Sequence, residues 1–137
     1  MTIWIVGIVL ADHYLDGWIR RTINAVLPAT VLAPYPAVQG WLHVVDIFFG
    51  LGLVALSEEI VFRRCARHLL QSYLDDGYAL VLATSFLFGA YHWWTGFGNI
   101  GVAVVIGGLL MMLYRRSGAL WPAVLGHYLA DIVNFAF

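Results

Sequence analysis

The sequence predicts an all-α fold, an integral membrane helical bundle with four core transmembrane helices behind a short N-terminal apolar and interfacial region. Three observations lead there. The first is composition. Of 137 residues, 62% are hydrophobic and 11% charged, and the mean hydropathy is +0.84. A soluble domain carries about 25% charged residues, so this chain could not cover its surface in water, and lipid is the solvent it fits. The second is punctuation: long apolar runs are separated by the turn signals Asp75-Asp76-Gly77, Thr95-Gly96-Phe97-Gly98 and Arg115-Arg116-Ser117-Gly118. The third is where the few ionisable residues fall. Glu58 and Glu59 close an apolar run over 44–56 that only Asp46 interrupts. Ionised groups at membrane depth are expensive, and they are functional-site candidates by default.

The length suits one domain, divided into an N-terminal region at 1–39 and a core at 40–137. Residues 1–11 are apolar, about half of what a span requires, and lack the basic start of a signal peptide. Residues 12–21 mix Asp12, Asp16, Arg20 and Arg21 with Tyr14 and Trp18, a mixture suited to an interfacial helix. Residues 22–39 carry Pro28, Pro34 and Pro36 and read as a broken apolar linker, because proline removes a donor and blocks a regular helix. Four helices follow, over 40–72, 78–94, 99–114 and 119–137. Gly101, Gly107 and Gly108 in the third allow close approach of neighbours, and Pro122 falls in the first turn of the fourth, where proline is tolerated.

The basic residues, all arginine, orient the bundle. Arg63, Arg64 and Arg67 end the first core helix, and Arg115 and Arg116 end the third. In an up-down bundle these ends fall on one side, which the positive-inside rule places in the cytoplasm. A net charge of −1 argues against nucleic-acid binding. The single cysteine, Cys65, excludes an intrachain disulfide and a Cys-x-x-Cys metal motif.

Helix rise brings the polar groups together. Glu58 and His92 each stand 17 residues from Asp75, so both lie roughly 25 Å from that turn. His127, about ten residues past Ser117, lies roughly 15 Å up its helix. The depths agree if the first hairpin projects roughly 10 Å into the cytoplasm. Glu59 and Arg63 are i, i+4 and share a face, while Glu58 points about 100° away from Glu59 and is left available. Phe88 and His92 are also i, i+4, as are His127 and Asp131. A carboxylate beside a histidine can fix its tautomer. Singly, each feature has a plainer reading: a structural ion pair for Glu59 and Arg63, an inter-helix hydrogen bond for either histidine, packing for Phe88, interfacial anchoring for Trp93, Trp94 and Trp121. Glu58, His92 and His127 on three helices at matched depth favour a shared site.

The patterns Glu58-Glu59-x-x-x-Arg63, Phe88-x-x-x-His92 and His127-x-x-x-Asp131, with Trp121-Pro122 ahead of the last, resemble the three motifs of the CPBP (Abi) intramembrane proteases. That family includes type II CAAX prenyl endopeptidases and bacteriocin-processing or self-immunity proteins. The resemblance covers about 41–137. It implies an intramembrane endopeptidase acting on a membrane-associated protein or peptide precursor. Glu58 would activate water with help from His92. His127 and residue 131 would stabilise the oxyanion, and Glu59, Arg63 and Phe88 would support the site. Position 131 is Asp where Asn is common; it would act protonated or orient His127. No cofactor is favoured, since no His-Glu-x-x-His helix is present; a zinc ion, if held, would take Glu58, His92 and His127. The resemblance places the chain in a bacterial or archaeal cell membrane. The alternative is a non-catalytic membrane binding or self-immunity protein of the same fold. A haem or metal carrier using His92 and His127 would leave Glu58 unexplained.

Overall fold

The computed structural model describes residues 1–33 and 38–136, and every regular element among them is helical. Helix α1 is Thr2–Asn24. Residues 25–33 are irregular and include Pro28; Pro34 and Pro36 lie outside the described residues. Helix α2 is one continuous helical run over 41–70, in which π-helical turns at Asp46–Gly50 and Ile60–Ala66 interrupt the α-helix. Helices α3, α4 and α5 are Tyr78–Tyr91, Phe97–Ser117 and Trp121–Ala136, and a 3₁₀ turn, Trp93–Thr95, joins α3 to α4.

The N-terminal region departs from expectation. It does not divide into an apolar piece and an interfacial one; it is a single helix of 23 residues packed on α4 and α5. Its buried positions Ile5, Ile8, Asp12 and Ile19 recur at helical spacing through the polar half. Asp12, Asp16 and Arg20 stand four apart and so share a face. That face points inward, where Asn134 and Asn99 answer it, while Arg21, Tyr14 and Trp18 of the same stretch are exposed.

Helix α2 buries Leu51, Ala55, Glu59 and Arg63, again every fourth residue. In a pure α-helix such a stripe rotates by about 40° per step. The turns at Ile60–Ala66 are wider, closed by i→i+5 bonds, and turn the stripe back so that Arg63 stays above Glu59. One core cluster joins Ile5, Ile8 and Ile19 of α1 to Val102, Ile106, Leu110 and Leu113 of α4. A second, of Phe62, Phe88 and Ala103, ties α2 to α3 and α4.

Beside these apolar clusters, many large apolar side chains face outward and several polar ones are buried. Ile3, Phe49, Leu53 and Phe86 are exposed, whereas Asp12, Glu59, Arg63, Thr84, Ser85 and His127 are buried. Large exposed apolar area needs an apolar surrounding. Among the described residues one helix, α4, is long and apolar enough to cross a membrane by length and composition. Helices α3 and α5, with 14 and 16 residues, are shorter than the roughly 20 an upright span requires.

Candidate active site

Glu58 is placed by α2, His92 by the end of α3, and His127 and Asp131 by α5, and the structure brings all four together. Glu58 Oε2 lies 3.9 Å from His92 Nε2 and 3.8 Å from His127 Nε2. That oxygen is buried and has no hydrogen-bond partner among the described residues. His127 Nε2 is 3.6 Å from Asp131 Oδ2.

Glu59 faces the other way, into the protein. Arg63 donates to it twice, from Nε at 2.8 Å and from Nη2 at 3.0 Å, and both side chains are fully buried. Such charge-assisted, bidentate bonds are the strong ones. Glu59 Oε1 also stands 3.1 Å from His127 Nδ1. A carboxylate so paired can only accept, so Nδ1 carries the proton. The tautomer of His127 is therefore fixed by Glu59, and not by Asp131, the neighbour that spacing along α5 suggests. His92 is held in the same manner. Its Nδ1 is 2.8 Å from the Phe88 carbonyl oxygen, which can only accept, so the neutral ring presents a bare Nε2 towards Glu58. Helix α3 stops at Tyr91, and His92 is its C-cap residue with φ −89° and ψ 19°; it stands at a helix end, not inside a helix running to 94.

Phe88 packs the site from below. Its ring lies 4.9 Å from the Arg63 guanidinium and 4.9 and 5.6 Å from the His92 and His127 rings. Arg63 thus gains a cation–π contact beside its bidentate carboxylate.

The four residues line a cavity of about 500 Å³, large enough for a peptide segment. Its further wall comes from residues that the sequence reading did not assign to a site. Asp12 accepts a hydrogen bond from Asn134 at 2.5 Å. Arg20 bridges Asp16 at 2.6 Å and Asn99 at 2.7 Å. Trp94, expected only as an interfacial anchor, lines the cavity and stacks on His92 at 6.1 Å. Asn99 and Asn134 are polar residues within apolar helices, the same signal that marks Glu58, and the four-residue spacing of Asp12, Asp16 and Arg20 was legible as well. His13, His43, His68 and Cys65 do not line the cavity.

The residues present do not match a zinc site as they stand. Tetrahedral zinc with bonds of about 2.0–2.1 Å separates neighbouring donors by roughly 3.3 Å. Both imidazole nitrogens are farther than that from the Glu58 oxygen. Among the described residues no group of three His, Cys, Asp or Glu side chains is arranged to hold a metal ion.

No curated protein and no solved structure matches the chain significantly. A family profile does, over residues 39–133, a stretch that contains Glu58, Glu59, Arg63, Phe88, His92, His127 and Asp131 but neither Asp12 nor Asn134. With the three motifs gathered around one cavity in a helical bundle, the chain belongs to the type II CAAX prenyl endopeptidase Rce1-like family.

Proposed function

We propose that the chain is an intramembrane endopeptidase that hydrolyses a peptide bond of a membrane-associated protein or peptide precursor. One observation carries the reading: the buried, unpartnered Glu58 Oε2 opens on a cavity with two imidazole Nε2 atoms within 4 Å. A water bonded at about 2.8 Å to both Glu58 Oε2 and His92 Nε2 would subtend roughly 90° between them, near its own bond angle. Both water protons are then engaged, and its lone pairs face the cavity. Glu58 takes one proton as the water oxygen bonds to the scissile carbonyl carbon. It returns that proton to the amine nitrogen as the C–N bond breaks.

His127 supports the oxyanion. To donate from Nε2 while Nδ1 is committed to Glu59, the ring must hold both protons; Glu58, Glu59 and Asp131 supply the counter-charge. Donors aimed at a developing oxyanion in a dry site contribute about 10²–10³ in rate each. Asp131 orients the Nε2 side of His127, and Phe88, Glu59 and Arg63 hold the two rings in place. No metal takes part in these steps. The partners are the bilayer and the substrate peptide, and the arginine-rich end of the bundle faces the cytoplasm of a bacterial or archaeal cell.

The test compares protein termini in cells carrying the wild-type chain or Glu58→Gln at matched expression. Glutamine keeps the shape and removes the base, so cleavage is expected to fall by about 10²–10⁴. A defined set of membrane-associated termini should appear with wild type alone and persist in membranes treated with a zinc chelator. Identical profiles from two folded proteins would transfer the case to the non-catalytic binding reading.

A further inference from the structure

A second cavity, of about 510 Å³, lies at the arginine-rich end of the bundle, away from the site around Glu58. Arg67 from the end of α2 and Arg115 and Arg116 from the end of α4 line it, with Trp4 of α1, Tyr78 of α3 and Met112 of α4. Asp76 is the one carboxylate in its lining. It pairs with Arg67 Nη2 at 2.7 Å and stands 3.3 Å from Arg115 Nε. Three guanidinium groups therefore meet one acid, a surplus of two positive charges.

Among the described residues the uncommitted donors of this cluster are those of Arg116. Arg115 is committed on every side: Nη2 donates to the Asp76 carbonyl at 2.7 Å and Nη1 to the Gly77 carbonyl at 3.4 Å, beside the Nε contact with the Asp76 carboxylate, and the Arg67 guanidinium lies over the Tyr114 ring at 5.7 Å. Arg116 forms no ion pair among the described residues. Its guanidinium rests on the Trp4 ring, 5.4 Å from the centroid.

We propose that this cavity binds the phosphate of an anionic lipid headgroup. Guanidinium forks match phosphate oxygens, and basic pockets between helices at the cytoplasmic membrane face are where such headgroups bind. The walls select the lipid over a soluble phosphate. Trp4, Tyr78 and Met112 are apolar or amphipathic, and Tyr78 is 82% exposed at the rim, placed to accompany the glycerol and first acyl carbons. The inference is independent of the proteolytic reading, because it needs only that the chain lies in a bilayer.

Native mass spectrometry of the full chain from detergent, supplied with phosphatidylglycerol or phosphatidylcholine, tests it. Phosphatidylglycerol should be retained selectively. Removing one charge with Arg116→Gln should cut its retention about fivefold, the worth of one arginine near the surface, and leave phosphatidylcholine unchanged. Arg116→Lys, which keeps the charge, should retain most of it and shows that the fold tolerates change there. Equal retention of both lipids, or no loss in Arg116→Gln, overturns the proposal. Displacement of phosphatidylglycerol by excess inorganic phosphate would assign the cavity to a soluble anion and overturn the lipid source.

Discussion

Glu59 illustrates how a single residue holds two functions that spacing alone cannot separate. The i, i+4 relation to Arg63 is visible in the sequence, and the two do form a fully buried, bidentate pair. The bond to His127 is 68 residues away in sequence, so no local rule reveals it. The two functions can be separated by experiment. Arg63→Leu leaves a buried carboxylate without its cation, which is expected to destabilise the protein by about 3–5 kcal/mol. The double variant Glu59→Leu, Arg63→Leu replaces the pair with apolar groups, a change that is often neutral for stability. Thermal unfolding in detergent should therefore fall sharply for the single variant and recover for the double. Cleavage should not recover, because His127 Nδ1 has lost its acceptor. A fully active double variant would reduce Glu59 to a structural ion.

At the scale of elements, the four core helices and their order were legible, because turn chemistry and apolar runs are local signals, whereas the single helix α1 was not. What escaped was the way a helix ends and which face it hides. The 3.6-residue rule extends α3 through Trp94, yet the chain leaves the helix at His92, where the Phe88 carbonyl is taken by the imidazole and the Thr95 hydroxyl donates to the His92 carbonyl. The glycines of α4 were expected at close contacts, and Gly107 does meet Phe88, with a built Cβ only 2.8 Å from its ring. Gly101 meets the Ile23 side chain more closely still, but between α3 and α4 the contact that involves backbone is on α3. A Cβ at Gly89 would stand 2.9 Å from the Ile100 carbonyl oxygen and collide with the Val104 side chain. Backbone cannot swing aside as a side chain can, so Gly89→Ala must push α3 off α4. Overpacking of this kind costs about 1–3 kcal/mol. Because Gly89 follows Phe88 and precedes His92 by three residues, the shift is carried into the site. Cleavage should fall at least tenfold at a temperature where the variant is folded, a loss of placement of the kind known to cost orders of magnitude. Wild-type turnover from a stably folded Gly89→Ala would show that α3 need not lie so close.

The whole molecule adds what neither residues nor helices contain, a direction. Four arginines, Arg64, Arg67, Arg115 and Arg116, stand towards one end of the bundle, while Arg20 and Arg21 lie towards the other and Arg63 is buried in the site. That second end also holds the 3₁₀ turn Trp93–Thr95, against which residues 25–33 pack through Leu32 N–H to the Trp94 carbonyl at 2.8 Å. Since His92 borders this turn, the site stands nearer the arginine-poor end of the bundle than the arginine-rich one. Helix α4, at 21 residues, gives a span of roughly 30 Å and so fixes the two faces about one hydrocarbon thickness apart. The positive-inside rule counts arginines near the span ends and disregards acids, so the pairing of Arg67 and Arg115 with Asp76 does not weaken the bias. In a Cys65→Ser background, Ser72→Cys marks the arginine-rich end and Thr30→Cys the opposite one. A membrane-impermeant maleimide added to intact cells should label Thr30→Cys and spare Ser72→Cys, and inverted membranes should reverse the pattern. Labelling of Ser72→Cys from outside would invert the bundle, bring the arginine cavity to the outer leaflet, and place the site nearer the cytoplasmic face.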